Sequence, residues 1–163
     1  MKTMDFLSLN ENKVANVIAG LNQLLADFQV YYTNLRGMHW NIKGHGFFVL
    51  HEKFEHMYDD AATKIDEIAE RILTLGGVPE NRFSKYLEVA KVKEEADVTC
   101  GHAAIENILA TYKYMIAAER SLIVLAADAG DDVTVDLLTG YIKEQEKMVW
   151  MLVAFSTRHC EHK

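Results

Sequence analysis

The chain has 163 residues, half of them hydrophobic and a quarter charged, with a formal net charge of −7. That length fits one domain with a sizeable core, and the acidic balance disfavours simple binding to a polyphosphate while favouring cations. Pro79 is the only proline and the glycines are few, which argues against a many-turned β architecture.

No apolar run approaches the roughly 20 residues of a membrane span, and the N-terminus MKTMDFLSLNENK lacks the apolar core of a signal peptide. The expectation is a cytoplasmic protein without membrane contact. The two cysteines, Cys100 and Cys160, show no close ligand spacing, as suits a reducing compartment.

In chain order, a short N-terminal tail (about 1–9) precedes a helix that begins at Asn10 or Asn12. Val14, Ile18, Leu21, Leu25, Phe28, Tyr32 and Leu35 recur in steps of four and three, the seam of a bundle helix. The next position in that series is His39. Lys43-Gly44-His45-Gly46 breaks the pattern as a tight connection. A second helix, about Phe47 to Leu75, carries Phe47, Leu50, Phe54, Tyr58, Ala61, Ile65, Ile68, Ile72 and Leu75, and stops at Gly76-Gly77-Val78-Pro79.

Residues 80–98 are mixed and charged, with SKYLEVAKV able to hold one short helix. Asp97 or Thr99 is the expected cap of a third long helix, about 100–129, whose face holds Ile105, Ile108, Tyr112, Ile116, Glu119, Ile123 and Ala126. After the turn AGDDVT a fourth helix runs from about Asp132 to Ser156, followed by a short tail (about 157–163). Tyr31, Tyr32, Tyr58, Tyr112 and Trp150 fit helix seams. Together these elements predict a single all-α domain, a four-helix bundle with one long crossover containing a short helix.

Residues 38–56, MHWNIKGHGFFVLHEKFEH, hold four of the seven histidines. His39 and His51 each lie six residues from His45 at the centre of the turn, so antiparallel helices bring them to the same height. His45 itself reads as a solvated turn residue, and His56, His159 and His162 as surface residues. On the second helix His51, Glu55, Asp66 and Glu70 fall within an arc of about 100°. A solvated helix face explains that strip as well.

His51 and Asp66 are 15 residues apart, about 22 Å along a helix, too far to share one metal within one straight helix. The pairs 51/70 and 55/66 share a midpoint between Asp60 and Ala61. An antiparallel pairing of this helix with its own copy would therefore bring His51 to the partner's Glu70 and Glu55 to the partner's Asp66. Ala61 and Ala62 read as small enough to allow the approach. Such an isologous dimer holds two equivalent sites, each fed by both chains. Two imidazoles with two or three carboxylates suit Fe(II), with Mn(II), Co(II) or Zn(II) able to compete, and the lack of thiolate argues against structural zinc. The Glu-x-x-His pattern of bundle-core di-iron sites is not present with the required placement.

The chain resembles the Dps family of ferritin-like mini-cages. The likeness is carried by His39-Trp40-Asn41, Lys43-Gly44, Phe47, Leu50-His51-Glu52, Phe54, Asp66-Glu67-Ile68-Ala69-Glu70-Arg71 and Leu75-Gly76-Gly77-Val78-Pro79. Gly130-Asp131, Thr134, Asp136, Glu146-Lys147 and Trp150-Met151-Leu152 extend it. The resemblance implies a ferritin-like bundle assembled into a dodecameric shell, with a ferroxidase site at each two-fold interface. It implies His39 and His51 as ligands from one chain, Asp66 and Glu70 from the partner, and Glu55 as a further acidic ligand where aspartate is common. Trp40 would lie beside the metal, Glu52 would nucleate mineral on the inner surface, and Asp131 and Asp136 would line an iron-entry pore. The implied activity is oxidation of Fe(II), with hydrogen peroxide as the favoured oxidant, and storage of Fe(III) oxide, protecting the cell and its DNA.

Relatives that bind DNA often use a lysine-rich tail. Here Lys2 is the one base in residues 1–10, faced by Asp5, and TRHCEHK is short and mixed in charge. DNA is therefore a disfavoured partner, and nucleoid association is left as an alternative location. Cys100-Gly101-His102 offers a thiol and an imidazole to a soft metal or haem, with an idle thiol the plainer reading. Two other classes stand beside the ferroxidase reading, a non-enzymatic DNA-compaction protein and a passive metal-storage shell.

Overall fold

A computed structural model describes residues 1–157. The expectations placed on Cys160, His159 and His162 and on most of the C-terminal tail lie outside these residues. Four long helices form an antiparallel bundle: α1 Glu11–Asn41, α2 Phe47–Thr74, α4 Gly101–Asp128 and α5 Asp132–Ser156, with the short α3 Phe83–Val89 in the crossover between α2 and α4. No strand occurs among the described residues.

Asn10 caps α1, its side chain accepting from the N–H groups of Asn12 and Lys13. The helix buries more than one seam. Besides Val14, Leu21, Leu25, Phe28, Leu35 and His39, it buries Val17, Leu24, Tyr31 and Met38. The reason is its central position: it packs against α2, α3 and α4 at once. α2 buries Leu50, Phe54, Met57, Ala61, Ile68 and Ile72 on a single face. Glu119, sitting in the apolar series of α4, is wholly buried.

Four sequence expectations change. α4 is capped by Cys100, without a side-chain hydrogen bond, and not by Asp97 or Thr99; the Thr99 carbonyl instead accepts the Lys43 N–H, tying the α1–α2 turn to the start of α4. Trp150 is 67 % exposed and so lies off the α5 seam. Residues 1–9 do not form a free tail, because Thr3–Phe6 makes a 3-10 turn that buries Met4 in the core. Ala61 faces into its own bundle and is fully buried, so only the exposed Ala62 remains on the outer face of α2.

The crossover is held by two buried polar residues of α1. The Asp27 carboxylate accepts the N–H groups of Lys91 (2.6 Å) and Val92 (3.0 Å) and the Tyr114 hydroxyl (2.9 Å). Asn34 donates to the Lys93 carbonyl and accepts the Glu95 N–H. Extended backbone has no partners of its own, so these side chains replace the missing ladder or helix bonds.

A candidate metal half-site at the first helical turn

The turn between α1 and α2 places the two histidines. Gly44 and Gly46 adopt φ of 84° and 89°, a region that glycine enters without steric cost. That sharp reversal starts α2 directly after Gly46. His39 is the buried end of α1, 8 % exposed, and His51 is half-buried one turn into α2.

Their rings stack, with centroids 3.7 Å apart and planes 19° apart. His39 Nδ1 lies 2.8 Å from the His51 carbonyl oxygen, and His51 Nδ1 lies 2.9 Å from the His39 carbonyl oxygen. A carbonyl only accepts, so each Nδ1 must donate. The neutral rings therefore keep their lone pair on Nε2, the nitrogen free to meet a metal. The His39 carbonyl is available because Lys43, which would be its helical partner, donates to Thr99 instead.

Aromatic groups brace the pair. Phe47 stacks on His51 at 5.1 Å, and Tyr58 meets the His39 ring edge-on at 5.4 Å. Trp40 is 64 % exposed beside the pair, its ring under the Arg36 guanidinium at 4.7 Å. The Arg36 guanidinium also lies over the Tyr32 ring at 5.4 Å, an i, i+4 series along α1.

The carboxylates occupy the outward face of α2. Glu55, Asp66 and Glu70 are all exposed, and the Glu55 carboxylate accepts the Tyr58 hydroxyl at 3.5 Å. Desolvation and the nearby Glu55 charge raise the Tyr58 phenol above its ordinary range. Within one chain, and among the described residues, no three His, Cys, Asp or Glu side chains come together as a metal site. Asp66 and Glu70 stay roughly 22 Å or more along the helix axis from His51.

The remaining sequence-derived site residues fall elsewhere. Glu52 is exposed and 3.8 Å from His56. Asp136 is exposed on α5. Asp131 is 1 % exposed and caps α5, accepting from the Thr134 N–H and hydroxyl, and it pairs with Arg71 of α2. Arg71 completes the cluster by donating Nε to the Thr134 hydroxyl at 2.8 Å. A buried carboxylate next to a guanidinium is a joint between helix ends, and that use consumes its acceptor sites. The sequence marks this role of Arg71 only faintly, as a basic residue in the last turn of α2 that suits the helix dipole. Cys100, His45 and His102 line one surface groove near the start of α4, and the three are exposed.

A four-helix bundle with one long crossover is the architecture of the ferritin-like class. The profile of the ferritin-like domain matches residues 18–158. A DNA protection during starvation protein of Porphyromonas gingivalis is 56 % identical over 157 residues, 96 % of this chain and 99 % of that one. The crystal structure of a Dps protein from Vibrio cholerae O1, described as a member of a broad superfamily of ferritin-like diiron-carboxylate proteins, superposes with a TM-score of 0.91 at 43 % identity, covering 93 % of this chain and 96 % of that one. A Listeria innocua Dps variant with two histidines exchanged for glycine superposes with a TM-score of 0.83 at 30 % identity, covering 85 % and 93 %. The chain belongs to the Dps family.

Proposed function

We propose that this protein is a ferroxidase and iron-storage protein. Its substrate is Fe(II), bound between two chains by His39, His51 and Glu55 of one and by Asp66 and Glu70 of the other. The observation that carries the reading is the crossed pair of Nδ1-to-carbonyl hydrogen bonds, which fixes two adjacent imidazoles with Nε2 as their lone-pair nitrogen. Imidazole and carboxylate together suit a borderline divalent ion such as Fe(II), and Mn(II), Co(II) or Zn(II) would compete. Added carboxylates favour the higher charge of Fe(III), so the ligand set supports oxidation as well as binding.

With hydrogen peroxide as oxidant, two Fe(II) ions supply two electrons to one peroxide. The O–O bond breaks, two protons are taken up, and two waters form. Peroxide consumed in this paired way yields no hydroxyl radical. The Fe(III) product is stored as oxide inside a shell, for which a dodecamer is the proposed size. The exposed Glu52 is the proposed nucleation site and Asp136 the proposed pore acid.

Protection of DNA would then be chemical and would not require binding. The chain carries a net charge of −7, and its described N-terminus is folded back, with Met4 in the core.

Stopped-flow oxidation of Fe(II) by peroxide tests the reading on purified shells. The double variant His39→Ala/His51→Ala is expected to lose the fast phase, about 100-fold or more, since ligand removal abolishes the bound substrate. An unchanged fast phase in a variant that still assembles rules out this site.

A further inference from the structure

Glu119 lies in the middle of α4 and is fully buried. Gln145 of α5 donates its Nε2 to Glu119 Oε1 at 2.6 Å. The two remaining oxygens of this pair, Glu119 Oε2 and Gln145 Oε1, are buried and have no hydrogen-bond partner. Both are acceptors while Glu119 is ionised. Two orphan acceptors on two residues already bonded to each other are an expensive arrangement in a bundle core.

One proton satisfies both. On Oε2 it becomes a donor that Gln145 Oε1 can accept, closing a two-bond ring between an acid and an amide. We infer that Glu119 is a neutral carboxylic acid in the folded protein at neutral pH, paired in this way with Gln145, and that the bundle core is thereby a proton-binding site.

The surroundings agree. Lys64 of α2 is the cation whose charge reaches Glu119. Its ammonium is committed elsewhere, to Asp60 at 2.5 Å and Glu144 at 2.6 Å. An ionised Glu119 would also act on the Tyr112 phenol of α4 and the Tyr141 phenol of α5, both of which are raised, chiefly by burial. The Tyr141 hydroxyl is spent on Glu67 of α2. α1 sets Phe28 against Tyr141 and Tyr31 against Tyr112, while Asp27 of α1 is spent on the crossover and Tyr114. Burial holds the Glu119 carboxyl up at about 8, with the Gln145 bond and Lys64 lowering it less than burial raises it.

The sign of the pH effect follows. The folded chain holds a proton that the unfolded chain, with an ordinary glutamate near about 4.3, gives up. Stability from this group is full below about 4.3, falls as pH rises, and has levelled off above the folded value of about 8. Within that window the folding constant changes up to about ten-fold per pH unit. Glu119→Gln places an N–H where the acid has its O–H, so it keeps both bonds and removes the titration.

Difference infrared spectra of the assembled protein, wild type against Glu119→Gln, test this between about pH 6 and about pH 10. The expected result is a protonated-carboxyl band at neutral pH in wild type, converting to carboxylate near about 8 and missing from the variant. Carboxylate bands for Glu119 already at neutral pH would overturn the inference. If the variant does not assemble, wild type labelled with ¹³C-glutamate decides the matter equally well. A shifted protonated-carboxyl band at neutral pH must then come from a buried glutamic acid, and its absence refutes the pair.

Discussion

His39 and His51 each donate Nδ1 to the other's main-chain carbonyl, so a metal-free protein should hold both rings as the Nδ1–H tautomer whenever they are neutral. Magic-angle-spinning ¹⁵N spectra of the histidine-labelled protein read this directly, and a protonated Nε2 on either neutral ring would contradict the geometry. Asp131 makes a second residue-scale prediction. Its carboxylate is 1 % exposed and faces an Arg71 side chain that is 11 % exposed. Asp131→Ala removes a helix cap and strands a guanidinium, with an expected loss of about 3–5 kcal/mol. Asp131→Asn keeps an acceptor for the Thr134 N–H and should lose less. Chemical denaturation at neutral pH measures both, and a loss below about 1 kcal/mol for the alanine variant would show the pair to be dispensable.

At the scale of elements, the crossover buries Tyr86, Ala90 and Val92 in the bundle core, and side-chain bonds from α1 hold its extended backbone. Asp27 gathers the Lys91 and Val92 N–H groups and the Tyr114 hydroxyl. Asp27→Ala should cost on the order of 3 kcal/mol, since bonds to a charged group are worth more than neutral ones. The Lys91 and Val92 amides should also lose hydrogen-exchange protection while α2 and α5 keep theirs. Uniform exchange along the chain would mean that the crossover is held by packing alone. The helices themselves are legible in the sequence because each has a periodic face and a stop signal. α1 hides its second buried stripe, since a helix packed on three neighbours no longer shows a single seam. The half-site is legible through position: six residues either side of a glycine turn put His39 and His51 together. Asp131 is legible in the sequence only as an aspartate before a helix, and its pairing with Arg71 of α2 is not, because that contact joins residues 60 apart in the chain. Ala61 misleads because a small residue fits a helix–helix contact equally well inside the bundle and outside it.

At the scale of the whole molecule, a single chain holds the imidazoles in one place and Asp66 and Glu70 far along the same helix. The proposed site therefore depends on a two-fold partner, and that dependence can be measured by complementation. One variant chain lacks the imidazoles (His39→Ala/His51→Ala) and another lacks the acids (Asp66→Ala/Glu70→Ala). Each alone should assemble and oxidise Fe(II) slowly. In a dimer of one of each, the site that takes imidazoles from the acid-less chain finds intact Asp66 and Glu70 on its partner, while the other site lacks both sets. Equal mixing after dissociation gives mixed dimers in half of all pairings, each with one working site of two. About a quarter of wild-type fast-phase amplitude is therefore expected. Amplitude that stays at the sum of the two parents would place the whole ligand set within one chain, which the straight course of α2 forbids for His51 with Asp66. The failure would then fall on the identity of the acids and not on the histidine pair, because the imidazoles are held together by bonds within a single chain.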